Sequence, residues 1–512
     1  MTQDNDRHRT DTSRWSLVVH RVSQTSAEIW VGTLFTSMQR PLKARVRIAD
    51  PAGAKRTFNI GRDQWLRPFP KTHRKNPSKP VSCTDKDGLQ RFYALRKFTG
   101  LKPDTRYTVE FQRFTDFGGK LCWQTVNEAR LETLPRRLPA QGQRPFTIAL
   151  ASCFYDNKDG GRAAAAYRAL YDRGPLATRP HITCMTGDQV YLDIGFDSLS
   201  PVASELRDRV ADDYARHWRS LGSIFTRGGT WMLPDDHEYW NDYPYYDLPI
   251  PTLFALKLPS VRKAWKQAAQ DGVRNVQRSA VVETLELGND LSVCFADVRS
   301  YRGKARGEHV MMHPDSFPKL LSWARGLRSP GVLVISQPLI VRQEGQERIL
   351  VSFKEQYRQL LEALGHSGHD VVVLSGDVHF GRIASSELGP KGGRLIEIVS
   401  SPLSNLTGLP GFSTATPELK PKHFPPKAAT PAGWTREPVR YSRDFTVGTK
   451  PAAFFSGYPA ARTKEHFMTV SFTRTPAAGV RLSAQSWLVR EPRGTKKLPA
   501  KGFTRAFTAK LA

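Results

Sequence analysis

Cysteine is scarce in this sequence, five among 512 residues, at Cys83, Cys122, Cys153, Cys184 and Cys294. Their wide spacing holds no Cys-x-x-Cys pair, which excludes a disulfide framework and points to a reducing compartment. Long apolar runs are missing as well. Nothing approaches the about eighteen consecutive apolar residues that a membrane-spanning helix needs. Met1 to Arg14 is polar and charged, without the apolar stretch of a secretion signal. A cytoplasmic location is therefore the expectation, or a secreted one if a signal has been removed. Acidic residues are the third shortage: 48 Asp and Glu face 76 Lys and Arg, a net charge of +28. With a pI near 10.1, the chain favours anionic partners such as phosphate esters, nucleic acid or an acidic membrane surface. What remains, 39% hydrophobic residues with 11 Trp and 26 Phe, excludes a disordered, collagen-like or coiled-coil chain. The length admits two or more domains.

From Trp15 to about Leu134 the pattern reads as all-β. Ala27 to Val31, Lys43 to Ile48 and Tyr107 to Phe111 alternate apolar and polar side chains, the period of strands with one buried face. Turn residues between them, Pro103 and Asp104 among others, predict a small β-sandwich. The run Leu-Lys-Pro-Asp-Thr-Arg-Tyr ending at Tyr107 resembles the tyrosine corner of fibronectin-type III domains. Pro135 to Pro145 reads as a linker. The expected division is a sandwich over residues 15–137 and a second domain over 138–512.

The second part has another signature. Phe146 to Ala151, Ile182 to Met185, Trp231 to Leu233, Leu291 to Ala296, Val332 to Ile335 and Val371 to Leu374 are nearly continuous apolar runs, as strands covered on both faces are. Between them, Phe353, Tyr357, Leu360, Leu361 and Leu364 recur at helical spacing, with Gly365 placed to end the helix. Helices alternating with buried strands predict an α/β domain. Pro402 to Pro459 reads as long loops over this domain, and the basic residues from Arg490 to Lys510 as a tail.

Chemistry gathers where the apolar runs stop. Ser152-Cys153 follows the first, Gly187-Asp188-Gln189-Val190-Tyr191 the second, Asp235-Asp236-His237-Glu238 with Asn241 the third, and Gly376-Asp377-Val378-His379 the last. In open α/β sheets ligands bind beyond the carboxyl ends of the strands, so four strands deliver Cys, Asp, Tyr, His and Asn to one edge. All are metal-ligand types. Asp and Asn oxygens suit hard cations, imidazole suits Zn, Mn or Fe, and thiolate or phenolate suits a softer or more oxidised ion. A carboxylate such as Asp188 can bridge two ions, and two bridged ions clamp the entering and leaving oxygens of phosphoryl transfer. Taken singly, each residue has a plainer reading: Asp235 as a helix cap, Cys153 as a small buried hydrophobe, Tyr191 as packing. A further cluster, Arg62, Trp65, Arg67, Phe69, Lys71, Arg74 and Lys75, interleaves charge and aromatics as nucleic-acid grooves do, or as a solvated loop does.

Gly-Asp-x-x-Tyr, Asp-Asp-His-Glu followed by Asn, and Ser-Gly-Asp-Val-His, with the upstream Ala-Ser-Cys, resemble the motifs of PhoD-like alkaline phosphatases, a branch of the binuclear metallophosphoesterases. The resemblance runs from about Trp15 to Trp487. It implies a layered core of two mixed sheets flanked by helices, preceded by the fibronectin-III/Ig-like sandwich. It also implies a binuclear or multinuclear site with a ferric ion and calcium, other divalent ions being alternatives. Carried over by motif, Cys153, Asp188 and Tyr191 hold the iron, and Asp188, Asn241, Asp377 and His379 serve the second site. Asp236 is a ligand or supports one, and His237 contacts substrate and protonates the leaving oxygen. Arg299 and Arg302, after another strand, are the candidates to hold phosphoryl oxygens, because guanidinium forks match that geometry. The implied activity is hydrolysis of phosphate monoesters or diesters by metal-bound hydroxide. Alternatives are a phospholipase or nucleotide pyrophosphatase on the same site, or a non-catalytic scaffold that binds nucleic acid or acidic membrane.

Overall fold

The structure is a computed structural model that describes residues 12–70, 80–83, 91–117, 119–156, 159–247, 251–305, 308–342, 349–404, 420–442, 465–476, 479–489 and 505–512. It divides into two compact units. One comprises Met1–Pro135, Ile194–Trp231 and Pro249–Arg278, and the other Arg136–Asp193, Met232–Leu248 and Ser279–Ala512. The first unit thus takes in two segments, residues 194–231 and 249–278, that lie far beyond the expected boundary at 137/138.

In the first unit Ser16–His20, Ser26–Thr33 and Phe92–Thr99 form an antiparallel sheet. A second antiparallel sheet runs Lys55–Ile60, Lys43–Ala49, Arg106–Phe117, Lys120–Glu132. Rings join the two sheets: Trp15 packs edge-on against Phe92 of one at 5.6 Å and Phe111 of the other at 5.5 Å. The sandwich is closed as a tyrosine corner would close it, with the Lys102 N–H donating to Tyr107 Oη at 2.8 Å. The recruited segments supply the helices Leu206–Phe225 and Pro259–Asp271, joined where the Arg209 guanidinium lies 4.0 Å over the Trp265 ring. The aromatics of the basic cluster belong to this core. Trp65 is fully buried against Phe92, and Phe69 packs on Tyr214, so neither ring is presented for stacking on a base. Lys71, Arg74 and Lys75 lie outside the described residues.

His20 enters this core with its imidazole pushed down to about 3, first by burial and then by Arg278 and Arg21, against the opposing pull of Glu28. In the unfolded chain the same ring takes a proton near its ordinary value of about 6.5. The folded value is the lower one, so the stability this group contributes is intact above pH 6.5. It falls away by about 1.4 kcal/mol per pH unit as the pH drops toward 3. We predict that the urea midpoint declines between pH 6 and pH 4, and that His20→Phe flattens the decline by one proton's worth. An unchanged slope in the variant would place the titration elsewhere.

The second unit has two mixed sheets. In one, Phe507–Leu511, Val480–Leu488, His466–Arg474 and Phe146–Ala151 run antiparallel in that order, and Ile182–Thr186 is added in parallel. The other runs Val282–Leu287, Leu291–Ala296, Gly331–Val334, Val371–Ser375, Gly393–Val399, Arg382–Leu388, Arg440–Tyr441, with its parallel pairs in the middle. The central strands are buried along their whole length, which is why they read as unbroken apolar runs. Helices cover both sheets. Arg162–Arg173 is tied to the first through Tyr167 Oη and Thr183 Oγ1 at 2.6 Å. Phe317–Arg325 and Lys354–His366 join the hydrophobic core on the second.

Gly365 does not end its helix, which continues through His366. A Cβ there would lie 2.6 Å from the Trp434 ring, so the glycine is a packing notch. Residues 420–442 of the expected loop region contain the short strands His423–Phe424, Glu437–Pro438 and Arg440–Tyr441, while 405–419 and 443–464 lie outside the described residues. Of the basic tail, residues 490–504 lie outside them too, and Phe507–Leu511 is an edge strand. Among the described residues no helix is long and apolar enough to cross a membrane.

Candidate metal centre

The strand ends of the second unit bend through backbone that most residues avoid. Cys153, Asp188, Asp377 and His379 have φ of +56°, +56°, +69° and +54°, the left-handed region in which a Cβ crowds the chain at a cost of about 1–2 kcal/mol. Four such residues at three strand ends indicate a turn geometry imposed by the surroundings. The glycines beside them allow close approach. At Gly187 (φ +102°) a Cβ would lie 2.5 Å from Asp235 Cβ, and at Gly376 it would lie 2.2 Å from Ser152 Oγ.

One buried carboxylate fastens these turns together. Glu238 accepts backbone N–H bonds from Gln189 and Asp235 at 2.7 Å, from Asp188 at 2.9 Å and from Val190 at 3.4 Å. The negative charge sits in a concave set of N–H groups, which is how a protein holds an anion without a cationic side chain. Its effect is to fix Asp188 beside the Asp235–His237 turn.

The result is two overlapping groups, Asp188, Asp236 and His237, and Asp235, Asp236 and Asp377, in each of which the potential ligand atoms lie within 4.8 Å of one another. Cys153 joins them, its thiol donating to Asp188 Oδ2 and to the Asp377 carbonyl, both at 3.3 Å. Tyr191 stacks obliquely on His237 with ring centroids 4.2 Å apart. His237 Nδ1 meets Asp193 Oδ1 at 2.7 Å, and Asp193 Oδ2 accepts the Asn241 N–H at 2.9 Å. The Asp193 contact engages Nδ1 and leaves Nε2 as the nitrogen available to a ligand or a substrate oxygen.

Crowded buried anions resist ionisation, and the groups respond accordingly. Burial, then Asp236, holds the Asp188 carboxyl well above its usual range. Asp377 is raised in the same way by burial, Asp235 and Asp236, and the Cys153 thiol by burial, Asp188 and Asp377. Asp236 goes down, because Arg299 and His237 outweigh its burial. His237 is raised despite burial, by Asp193 and Asp236. A bound dication would reverse the balance for the carboxylates and the thiol. Asp235 Oδ2, Asp236 Oδ1 and Tyr191 Oη are buried with no hydrogen-bond partner among the described residues. Orphaned oxygens inside a cluster of acids, with a thiol and an imidazole beside them, fit a metal centre.

Not every expected residue points into that cluster. Asn241 Nδ2 donates to Asp242 Oδ2 at 2.9 Å, which leaves the amide oxygen as its ligand atom. His379 is held through its backbone N–H on Ser401 Oγ at 3.0 Å and belongs to neither group. Arg299 and Arg302, the candidates to hold phosphoryl oxygens, both have protein acceptors. Arg299 pairs through Nε with Asp235, donates from Nη1 to the Tyr243 carbonyl at 2.9 Å, and brings Nη2 within 3.8 Å of Asp236. Arg302 binds the Val298 carbonyl and Gln337, and burial lowers it to about 9. Asp235 occupies the cap position expected of it and also belongs to the cluster. Sequence reasoning missed Asp193, Glu238 as the turn fastener, and Gln337, which donates to Asp377 Oδ2 at 2.9 Å. Gln337 stands just past the strand Gly331–Val334, so the strand-end rule applied once more finds it.

No protein-family model and no curated protein sequence matches the chain. Among solved structures it resembles PhoD, at 14% identity with a TM-score of 0.59, over 93% of this chain and 86% of that one. It also resembles the purple acid phosphatase PPD1 of yellow lupin seeds, at 10% identity with a TM-score of 0.51, over 96% of this chain and 73% of that one. The fold of this chain is thus like that of PhoD and of the lupin purple acid phosphatase.

Proposed function

We propose that this protein is a metal-dependent phosphoric ester hydrolase acting at the strand-end cluster of its second unit. The observation that carries the reading is the convergence of Asp188, Asp235, Asp236, His237 and Asp377 with buried oxygens that have no hydrogen-bond partner among the described residues. The likeness in fold to two phosphatases supports it. Cys153, Asp188 and Tyr191 form the donor set for a ferric ion, and Asp236, Asn241 and Asp377 the oxygen set for a harder divalent ion such as calcium, with His379 as a further candidate. Bound there, the ions would supply Lewis acidity toward a phosphoryl oxygen and acidify a water.

The chain's own groups then have distinct tasks. Asp193 orients His237 through Nδ1, and His237 Nε2 delivers the proton to the leaving oxygen. Arg299 holds Asp235 and Asp236 in register, and Gln337 does the same for Asp377 and Arg302. The net charge of +28 steers anionic esters toward the cluster. A scaffold that only binds nucleic acid or membrane would leave these buried acids without a use.

Stripping the purified protein with chelator is expected to lower turnover of nitrophenyl phosphate or its bis-ester by on the order of 10²-fold or more, with recovery on adding back iron and calcium. The same assay ranks monoester against diester. Full turnover by protein shown to be metal-free would overturn the proposal.

A further inference from the structure

Away from the acidic cluster, the second unit carries a cavity of about 600 Å³ whose wall is basic. Arg342, Lys420, Lys422, His423, Lys427 and Arg436 line it, and among the described residues no carboxylate does. It shares no residue with the strand-end groups. The volume falls in the range of small-molecule sites, about 300–1,000 Å³.

The wall is built rather than draped. Pro421 and Pro426 contribute to the lining, and proline restricts the backbone there. His423 belongs to the antiparallel strand pair His423–Phe424 and Glu437–Pro438, which ties that part of the wall together. Tyr441 Oη donates to the Pro421 carbonyl at 2.7 Å, and the Val439 N–H to the Lys422 carbonyl at 2.9 Å. Arg436 is anchored through Nε on the Pro425 carbonyl at 2.9 Å, and Lys420 Nζ rests 5.5 Å over the Tyr441 ring. Like charges are therefore gathered on a frame that does not let the backbone spread them apart. Among the described residues the frame brings no carboxylate to the lining to offset them, so an anion is the complement of this wall.

The charge count narrows the ligand. Lys420, Lys422, Lys427 and Arg436 alone bring four cationic side chains to the pocket, twice the about two negative charges of a single phosphate group. No Phe, Tyr or Trp is among the described lining residues, so His423 is the one ring they offer a base, short of the series of aromatic platforms that a single-stranded nucleic-acid site uses. We propose that this pocket binds a compact polyanion, several phosphoryl or sulfuryl groups on one small frame, at a site separate from the acidic cluster. The proposal does not depend on the metal reading of that cluster.

Inositol hexasulfate is the probe, because it has the charge and size but no phosphoester bond to hydrolyse. Calorimetry on the full chain is expected to give one site. Lys422→Ala/Lys427→Ala/Arg436→Ala is expected to weaken it at least tenfold and to reduce its salt dependence. The control Lys43→Ala/Lys55→Ala/Lys97→Ala removes the same charge from exposed positions of the first unit and is expected to shift affinity less than twofold. Thermal melts establish that both variants are folded. Equal losses in the two triples would assign the binding to overall charge. No loss in the first, or displacement of the probe by an equimolar single-stranded oligonucleotide, would equally overturn the pocket.

Discussion

Asp188→Asn is expected to lower kcat toward nitrophenyl phosphate by on the order of 10³-fold while the protein stays folded. Asp188 lies beside Cys153 Sγ at 3.3 Å and the His237 N–H at 3.4 Å, and shares a ligand group with Asp236 and His237. A carboxylate there can serve two ions at once, whereas an amide has one acceptor oxygen and no charge to offset them. Metal content of the purified variant should fall together with kcat. In chelator-treated protein its urea midpoint should hold or rise relative to wild type treated alike, because burial and the neighbouring acids penalise the ionised form when no cation is bound. Wild-type turnover in a variant that retains its metals would remove Asp188 from the centre.

Glu238→Ala tests the frame rather than the ligands. Four buried N–H groups, those of Asp188, Gln189, Val190 and Asp235, would lose their acceptor together. An unsatisfied buried donor costs about 1–3 kcal/mol, so even with partial relaxation the loss should exceed about 3 kcal/mol. We expect a clearly lower urea midpoint and activity falling further than the midpoint predicts, because the turn carrying Asp188 is released. Glu238→Gln keeps one acceptor oxygen and should lie between. If alanine leaves the midpoint unchanged, the four bonds do not hold the turn.

The parts of this architecture that could be read in advance share a cause. A strand covered on both faces has to be apolar throughout, and the chain turns polar where it leaves the sheet, so Phe146 to Ala151 and Val371 to Leu374 announce both a strand and its ligand-bearing end. Tyr107 was legible because a corner uses a local contact, five residues back. What stayed hidden depends on distant partners. The place of Arg299 after a strand and its forked guanidinium mark it for the site, but nothing local announces its pairing with Asp235. Glu238 binds backbone, which leaves no trace in the pattern of side chains. Trp65 and Phe69 alternate with arginine in a way that suits a groove or a core, and the packing of Phe92 and Tyr214 decides for the core. The helices Leu206–Phe225 and Pro259–Asp271 join the first unit through contacts far away in sequence, which no period or turn signal records.

The left-handed turns at Cys153, Asp188 and Asp377 govern how this centre should be dissected by mutagenesis. Asparagine accepts that conformation about as readily as aspartate does, whereas alanine does not. An alanine scan across the three positions would therefore confound the missing donor with a re-routed main chain. Asparagine at 188 and 377 removes charge and keeps shape, and glycine at 153 removes the sulfur while easing the bend. Comparing the two sets at each position separates what the ligands contribute from what the path of the polypeptide contributes.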